Sequence, residues 1–200
     1  MLWEYNTFIG FETEARAVWT YEMTLVPGLL QTEGYARAVI KGMLPHASQE
    51  EVERRVDARM KRQEVLAKQD AVRLWAIVDE AALRRQVGSA GEMRAQIEHL
   101  RAATLRPEVT LQVLPFDSGP HPAMLGAFVI LKFDEPVAPD IVYTEGLTKD
   151  LFLDDDTSIA QYRETFEHLR ASAHSPGQTE VFLADLTRGS QVRGVRDANA

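Results

Sequence analysis

The chain contains no cysteine among its 200 residues. This absence excludes disulfides, thiolate metal ligands and a thiol nucleophile, and it fits a reducing cytoplasm. An excess of basic charge is also missing, because the formal net charge is -8. Such a chain lacks the electrostatic attraction that would hold nucleic acid or an anionic membrane surface. We therefore expect a cytoplasmic protein that binds neither nucleic acid nor a membrane directly.

Long apolar runs and known catalytic motifs are absent as well. No apolar run approaches the ~20 residues of a membrane-spanning helix, and the first residues do not form a signal peptide. The sequence has no G-x-S-x-G motif, no phosphate-binding loop and no dinucleotide-binding glycine pattern. The five histidines form no HxxxH or HExxH pair. We therefore predict neither a metal site nor a bound cofactor.

What the chain does contain is typical of one globular domain. Hydrophobic residues make up 45% of it and charged residues 26%. We interpret residues 1–187 as a single ligand-binding-type domain. Residues 188–200 combine Gly, Ser, Asn and mixed charge with little to bury, which predicts a flexible tail.

The order of helical and strand patterns indicates the fold class. Ser48 and Ser89 each stand three residues before a glutamate, and both pairs predict capping boxes at helix starts. Short apolar or alternating runs at residues 73–78, 109–114, 127–133 and 141–145 predict strands, and residues 151–153 predict an edge strand. This pattern predicts an α+β fold with a mainly antiparallel sheet of about four to five strands and helices grouped around it.

The stretch TLVPGLLQTEGYARAVI at residues 24–40 forms a predicted corner. Pro27 and Gly28 together favour a turn, and Thr32 is placed to cap the helix that follows. Two interpretations stay open for Leu29, Leu30 and Gln31 at the bend. They either pack as an apolar staple at the helix start or line a pocket.

Five segments, in order, carry a resemblance to a known family. They are FETEA at 11–15, the stretch at 24–40, LWAIVDEAALRR at 74–85, VTLQVLPFDSGPHPAMLGAFVIL at 109–131 and IVYTEGL at 141–147. Together they resemble the C-terminal domain, of poorly defined function, of actinobacterial XRE-type helix-turn-helix regulators, many of them described as antitoxin-like. Those regulators carry a helix-turn-helix ahead of this domain. Here none precedes it, so we expect a stand-alone descendant without its own DNA reader.

Four residues are candidates for acid and base catalysis. His121 stands between two prolines and could exchange protons near neutral pH, or it could simply stabilise the turn. Tyr143 and Glu145 lie on one face of a predicted strand. If that face lines a pocket, a phenol and a carboxylate converge there; otherwise the two side chains take part in cross-strand pairing on a solvated face. Glu14 precedes aromatic residues that could raise its pKa, or it is a charge at a helix start while the aromatic residues pack in the core. We predict that a ligand would contact Trp19, Tyr21, Leu29, Leu30, Gln31 and Met124.

Two functions of different class follow from these features. In the first, the domain binds a bulky, apolar natural-product intermediate and acts as a cofactor-independent cyclase or dehydratase, for example by dehydration and conjugate addition. In the second, it is a non-enzymatic antitoxin-like or effector-sensing protein that acts through a regulatory protein partner. A homodimer is compatible with both hypotheses.

Overall fold

The computed structural model describes residues 2–68, 70–134 and 139–197, with side chains described from residue 7 to residue 188 within these ranges. The helices are α1 (Leu2–Glu14), α2 (Glu33–Met43), α3 (Gln49–Arg62), α4 (Glu80–Arg84), α5 (Ala90–Ala103), α6 (Asp156–Ser172) and α7 (Pro176–Asp197). The strands are β1 (Ala17–Glu22), β2 (Arg73–Asp79), β3 (Val109–Leu114), β4 (Phe128–Lys132), β5 (Ile141–Thr144) and β6 (Leu151–Leu153). The fold is α+β, as predicted.

The helix starts are set by side-chain caps that the sequence predicts. The Thr32 side chain accepts from the backbone N–H of Tyr35 and begins α2. Ser48 caps α3, and Ser89 forms a complete capping box with Glu92 at the start of α5. Each cap satisfies backbone N–H groups that have no partner inside the helix. The predicted helix starts are confirmed, and so is the capping box at Ser89, whereas at Ser48 the structure shows the serine cap alone.

The sheet has six strands in the order β3-β2-β1-β4-β5-β6. Strands β1, β2 and β3 are parallel, and β4, β5 and β6 extend the sheet with antiparallel pairs. Three of the five strand pairs are antiparallel, so the sheet is mixed. The predicted four to five strands were one too few, and the two parallel pairs were not predicted. Parallel neighbours need long crossover connections, and the helices between β1 and β2 and between β2 and β3 supply them.

The two faces of the sheet carry separate apolar cores. One face packs Val18, Val78, Leu131 and Tyr143 with residues from α1, α2, α4, α5 and α7. The other face holds an aromatic core of sheet residues, to which α6 adds Ile159, Phe166 and Leu169. Side chains alternate between faces along a strand, so neighbours on β1 enter different cores.

The last described element is a helix that extends into the segment predicted as a flexible tail. Helix α7 begins at Pro176 and continues to Asp197, well past residue 187. Its first half is held by the buried side chains of Leu183 and Thr187. Residues 198–200 lie outside the described residues.

Candidate functional site

The carboxyl ends of the three parallel strands meet along one edge of the sheet, at Glu22, Asp79 and Leu114. We call this edge, together with the start of β4 and the end of β5, the carboxyl edge. The chain runs from β1 to β2 and β3 on one side, and then returns to place β4 on the other side of β1. Open sheets bind ligands beyond the carboxyl ends of their strands where the strand order reverses in this way. The topology therefore directs attention to the ends of β1 and β4.

On the α6 side of this edge, a phenol links a carboxylate to an imidazole. The Tyr21 hydroxyl donates to Asp79 Oδ2 across 3.4 Å and lies 3.5 Å from Nε2 of His121. Asp79 is fixed because its other oxygen accepts from the Ala81 N–H at the start of α4, at 2.8 Å. Burial and the adjacent Asp79 raise the pKa of Tyr21, so this phenol keeps its proton.

The tautomer of His121 follows from the atoms around its ring. Its Nδ1 is buried and has no hydrogen-bond partner in the structure. An unpaired buried N–H costs more than an unpaired lone pair, so we place the proton on Nε2, facing the Tyr21 oxygen. The order of donation is then His121 to Tyr21 to Asp79. This leaves an unused lone pair on Nδ1, although the atom is buried and a ligand would reach it only by displacing the residues that cover it.

On the opposite face of the same edge, two carboxyl groups approach each other. Burial, followed by the charge of Glu145, raises the pKa of Glu22 to about 8, against a smaller attraction from Arg62 and Arg59. Burial and then Asp150 likewise raise the pKa of Glu145. Glu145 is nonetheless exposed by area. A raised pKa and an exposed side chain are compatible when the exposed atoms face a concave site that limits hydration of the carboxylate.

A cavity of about 350 Å³ opens on the α6 side of the carboxyl edge, between α6 and the loop that enters β4. Phe128 and Tyr162 provide aromatic lining, with ring centroids 5.0 Å apart, and Glu145 lies at the rim. Ligand pockets in proteins span ~300–1,000 Å³, so the space suits a small organic molecule.

Exposed apolar side chains gather around the same edge. Eight large apolar side chains are exposed in the described part of the chain, and five of them lie in loops or strand ends here. Leu125 and Leu147 are 101% and 96% exposed. Soluble proteins rarely cluster such groups without a binding role. The others are Phe116, Met124 and Leu151.

The predicted catalytic residues are only partly brought together. Tyr143 and Glu145 belong to one side of the edge, and His121 belongs to the other. The Tyr143 hydroxyl donates to Asp150 at 2.9 Å, and its ring stacks on Phe8. Glu14 does not join them, because it is exposed at the end of α1.

The predicted ligand-binding residues do not form a single lining. Trp19 and Tyr21 point to the α6 face, where Trp19 stacks on Phe166. Leu29 and Leu30 lie in the core of the other face. Gln31 is 3% exposed, donating to the Val26 carbonyl and accepting from Arg59. Leu29, Leu30 and Gln31 therefore pack in the interior at the start of α2, which agrees with the packing interpretation rather than the pocket interpretation. Met124 is exposed and is not among the residues that line the cavity.

Sequence reasoning missed Glu22 and Asp79. Each is the last residue of a parallel strand, Glu22 in β1 and Asp79 in β2. A polar residue at that position is the sequence signal that could have identified them. It also chose Glu14 where Glu12 is the buried carboxylate, 1% exposed and paired with Arg62. The alternation of helical faces separates these two neighbours.

Metal and membrane features add nothing to this site. Among the residues that the structure describes, no three His, Asp or Glu side chains are grouped to hold a metal ion. None of the described helices has the length and apolar character that crossing a membrane requires.

The fold and the edge define the class: an α+β domain whose mixed sheet presents carboxylates, an imidazole and exposed apolar groups at one edge. The chain belongs to the family described as "Domain of unknown function (DUF5753)", whose model matches residues 5–185. No curated protein and no solved structure gives a significant match.

Proposed function

We propose that this domain binds a largely apolar organic molecule at the carboxyl edge and performs cofactor-independent acid and base chemistry on it. The observation that carries the proposal is the position of two sets of proton-exchanging groups at the carboxyl edge, one on each face of the sheet, where a ligand lying over the strand ends could contact both. His121, Tyr21 and Asp79 form one set, and Glu22 and Glu145 form the other. The exposed apolar side chains and the adjacent cavity give an apolar molecule a place to bind.

Each set suits one half of an elimination reaction. His121 Nδ1 has an unused lone pair, and a ligand that displaces the loop residues covering this buried atom can present to it the proton on the carbon next to a carbonyl. Glu22 has a pKa of about 8, so it carries a proton at neutral pH that it can give to a departing hydroxyl group. The C–H electrons form the new double bond, the C–O bond breaks and water leaves. Tyr21 and Asp79 position the imidazole.

A conjugate addition can follow with the same groups. The ionised Glu22 takes the proton of a second hydroxyl as its oxygen adds to the double bond, and His121 returns its proton to the carbon next to the carbonyl. Both groups regain their starting protonation states, so no cofactor is consumed. General acid and base groups each accelerate such steps by about 10²–10⁴-fold. The reaction class is a dehydration with ring closure.

We also propose that the domain shares its origin with the effector domains of the regulators that the sequence resembles. A ligand site at the carboxyl edge serves either use, because sensing and catalysis both begin with binding. Fold alone does not distinguish them.

The chemistry is tested with 5-nitrobenzisoxazole, a neutral aromatic molecule that opens when a base removes its C–H proton and the N–O bond breaks. The coloured phenolate reports the rate. We expect the wild-type protein to exceed the background rate, and His121→Asn to lose at least tenfold of that excess. Glu98→Gln is the matched control, because Glu98 is exposed on α5, away from the edge. Equal rates for wild type and His121→Asn would contradict the assignment of the base.

A second candidate, the regulatory interaction protein, is favoured by Leu125 and Leu147, whose side chains are almost fully exposed. Such groups are also typical of a protein interface. In that case Leu147→Ser abolishes capture of a stoichiometric partner from the native cytosol, whereas His121→Asn leaves capture unchanged. The opposite pattern, with activity lost only in His121→Asn and no partner recovered, favours the enzyme.

A further inference from the structure

The cavity beside α6 has a charge pattern that selects among ligands. Its aromatic walls are Phe128 and Tyr162, and its neutral polar groups are two threonine hydroxyls and one glutamine amide. Glu145, at the rim, is the one charged residue among the described residues that line it. None of the lining residues that the structure describes is lysine, arginine or histidine. An anionic ligand would therefore meet a carboxylate and no balancing cation.

The charge of Glu145 is poorly compensated by its surroundings. Burial and Asp150, the two largest influences, both raise the pKa of Glu145, and Arg59 and Arg62 oppose them less strongly. Those arginines are engaged elsewhere: Arg62 with Glu12, and Arg59 with the Gln31 side chain. A bound cation would supply the compensation that the protein itself does not.

Aromatic walls add to this preference. The faces of Phe and Tyr rings attract cations by about 0.5–2 kcal/mol, depending on how far the cation is desolvated. The same rings bury the apolar body of a ligand, and the cavity volume of about 350 Å³ leaves room for a bicyclic ring system. The chain's net charge of -8 attracts a cation from a distance.

We propose that the cavity between α6 and the β4 entry loop binds a ring-bearing amine in its ammonium form, with the ring against Phe128 and Tyr162 and the nitrogen towards Glu145. This inference rests on the proposed function, because it names the ligand class for the same edge of the sheet. The substrate would then be an alkaloid-like or aminated apolar molecule rather than a carboxylic acid.

Three probes of the same ring and different charge test this. They are 1-naphthylmethylamine, 1-naphthylmethanol and 1-naphthylacetate, titrated against the full chain at pH 7 by calorimetry and ligand-observed NMR. We expect the ammonium to bind at least tenfold more tightly than the alcohol, and the carboxylate to bind weakest. Equal affinity of the ammonium and the alcohol, or binding of none of the three at millimolar concentration, would overturn the proposal.

Variants locate the effect. Glu145→Gln should abolish the difference between ammonium and alcohol while keeping the affinity for the alcohol, and Glu98→Gln should keep the difference. Thr165→Leu places a larger side chain in the lining and should weaken all the probes. An ammonium preference that survives in Glu145→Gln would overturn the assignment. Circular dichroism confirms that each variant is folded before titration.

The outcome separates this inference from the proposed chemistry. The 5-nitrobenzisoxazole assay uses a neutral substrate and reports on His121. If catalysis persists and the ammonium preference is absent, only the ligand class is wrong. If the preference persists and His121→Asn has no effect on rate, the domain binds amines without the proposed chemistry.

Discussion

Replacing Glu22 by glutamine should make the protein more stable than the wild type at high pH and leave its stability unchanged at low pH. The pKa of Glu22 rises from 4.5 to about 8 in the folded protein, chiefly by burial. Between these values the native state holds a proton that the unfolded state has lost, so the free energy of unfolding falls as the pH rises. Glutamine removes this effect. The variant should match the wild type below pH 4.5 and be more stable above pH 8.

The size of the difference follows from the shift. A change from 4.5 to about 8 is about 3.5 units, and each unit corresponds to about 1.4 kcal/mol, which gives an upper bound of about 5 kcal/mol. The Glu22 side chain is half-buried and therefore partly hydrated, so we reduce the expected gain to about 2 kcal/mol. For a domain of this size that gain raises Tm by about 4–8 °C.

Urea unfolding followed by tryptophan fluorescence at several pH values from 4 to 9.5 measures this gain. The wild type, Glu22→Gln and Glu98→Gln are compared at each pH, so the titration of other groups cancels in the differences. Glu98 is exposed, and its replacement should change stability by less than ~0.5 kcal/mol throughout. A difference between wild type and Glu22→Gln that is constant with pH would refute the reasoning.

Three further predictions concern the framework around the site. Glu12→Gln removes the buried carboxylate that pairs with Arg62 and should cost about 3–5 kcal/mol in urea unfolding, whereas Glu14→Gln should be neutral. Gln96→Leu leaves two backbone groups unsatisfied and should cost about 2–3 kcal/mol by the same measurement. Ser89→Ala removes the α5 cap and should cost about 1 kcal/mol, seen as a lower urea midpoint without a change in slope. The first prediction is contradicted if Glu12→Gln is as stable as the wild type. An unchanged urea midpoint in Gln96→Leu contradicts the second, and wild-type stability of Ser89→Ala contradicts the third.

The sequence by itself determined the local structure. Helix starts at Thr32, Ser48 and Ser89 depend on residues at most three positions away, so the local pattern was enough to predict them. The strands at residues 73–79 and 109–114 were visible because apolar, β-branched side chains repeat within one short run. The α+β class followed from the presence of both patterns.

Only the tertiary structure decided which residues meet. His121 approaches Tyr21 across 100 positions in the chain because the β4 entry loop returns over the end of β1. Glu22 and Glu145 become neighbours because β1, which ends at Glu22, and β5, which ends just before Glu145, are separated by a single strand, β4. Burial then changes their pKa values, and burial depends on the whole fold rather than on neighbouring letters. Strand order and the depth of a side chain are long-range properties, and local patterns do not specify them.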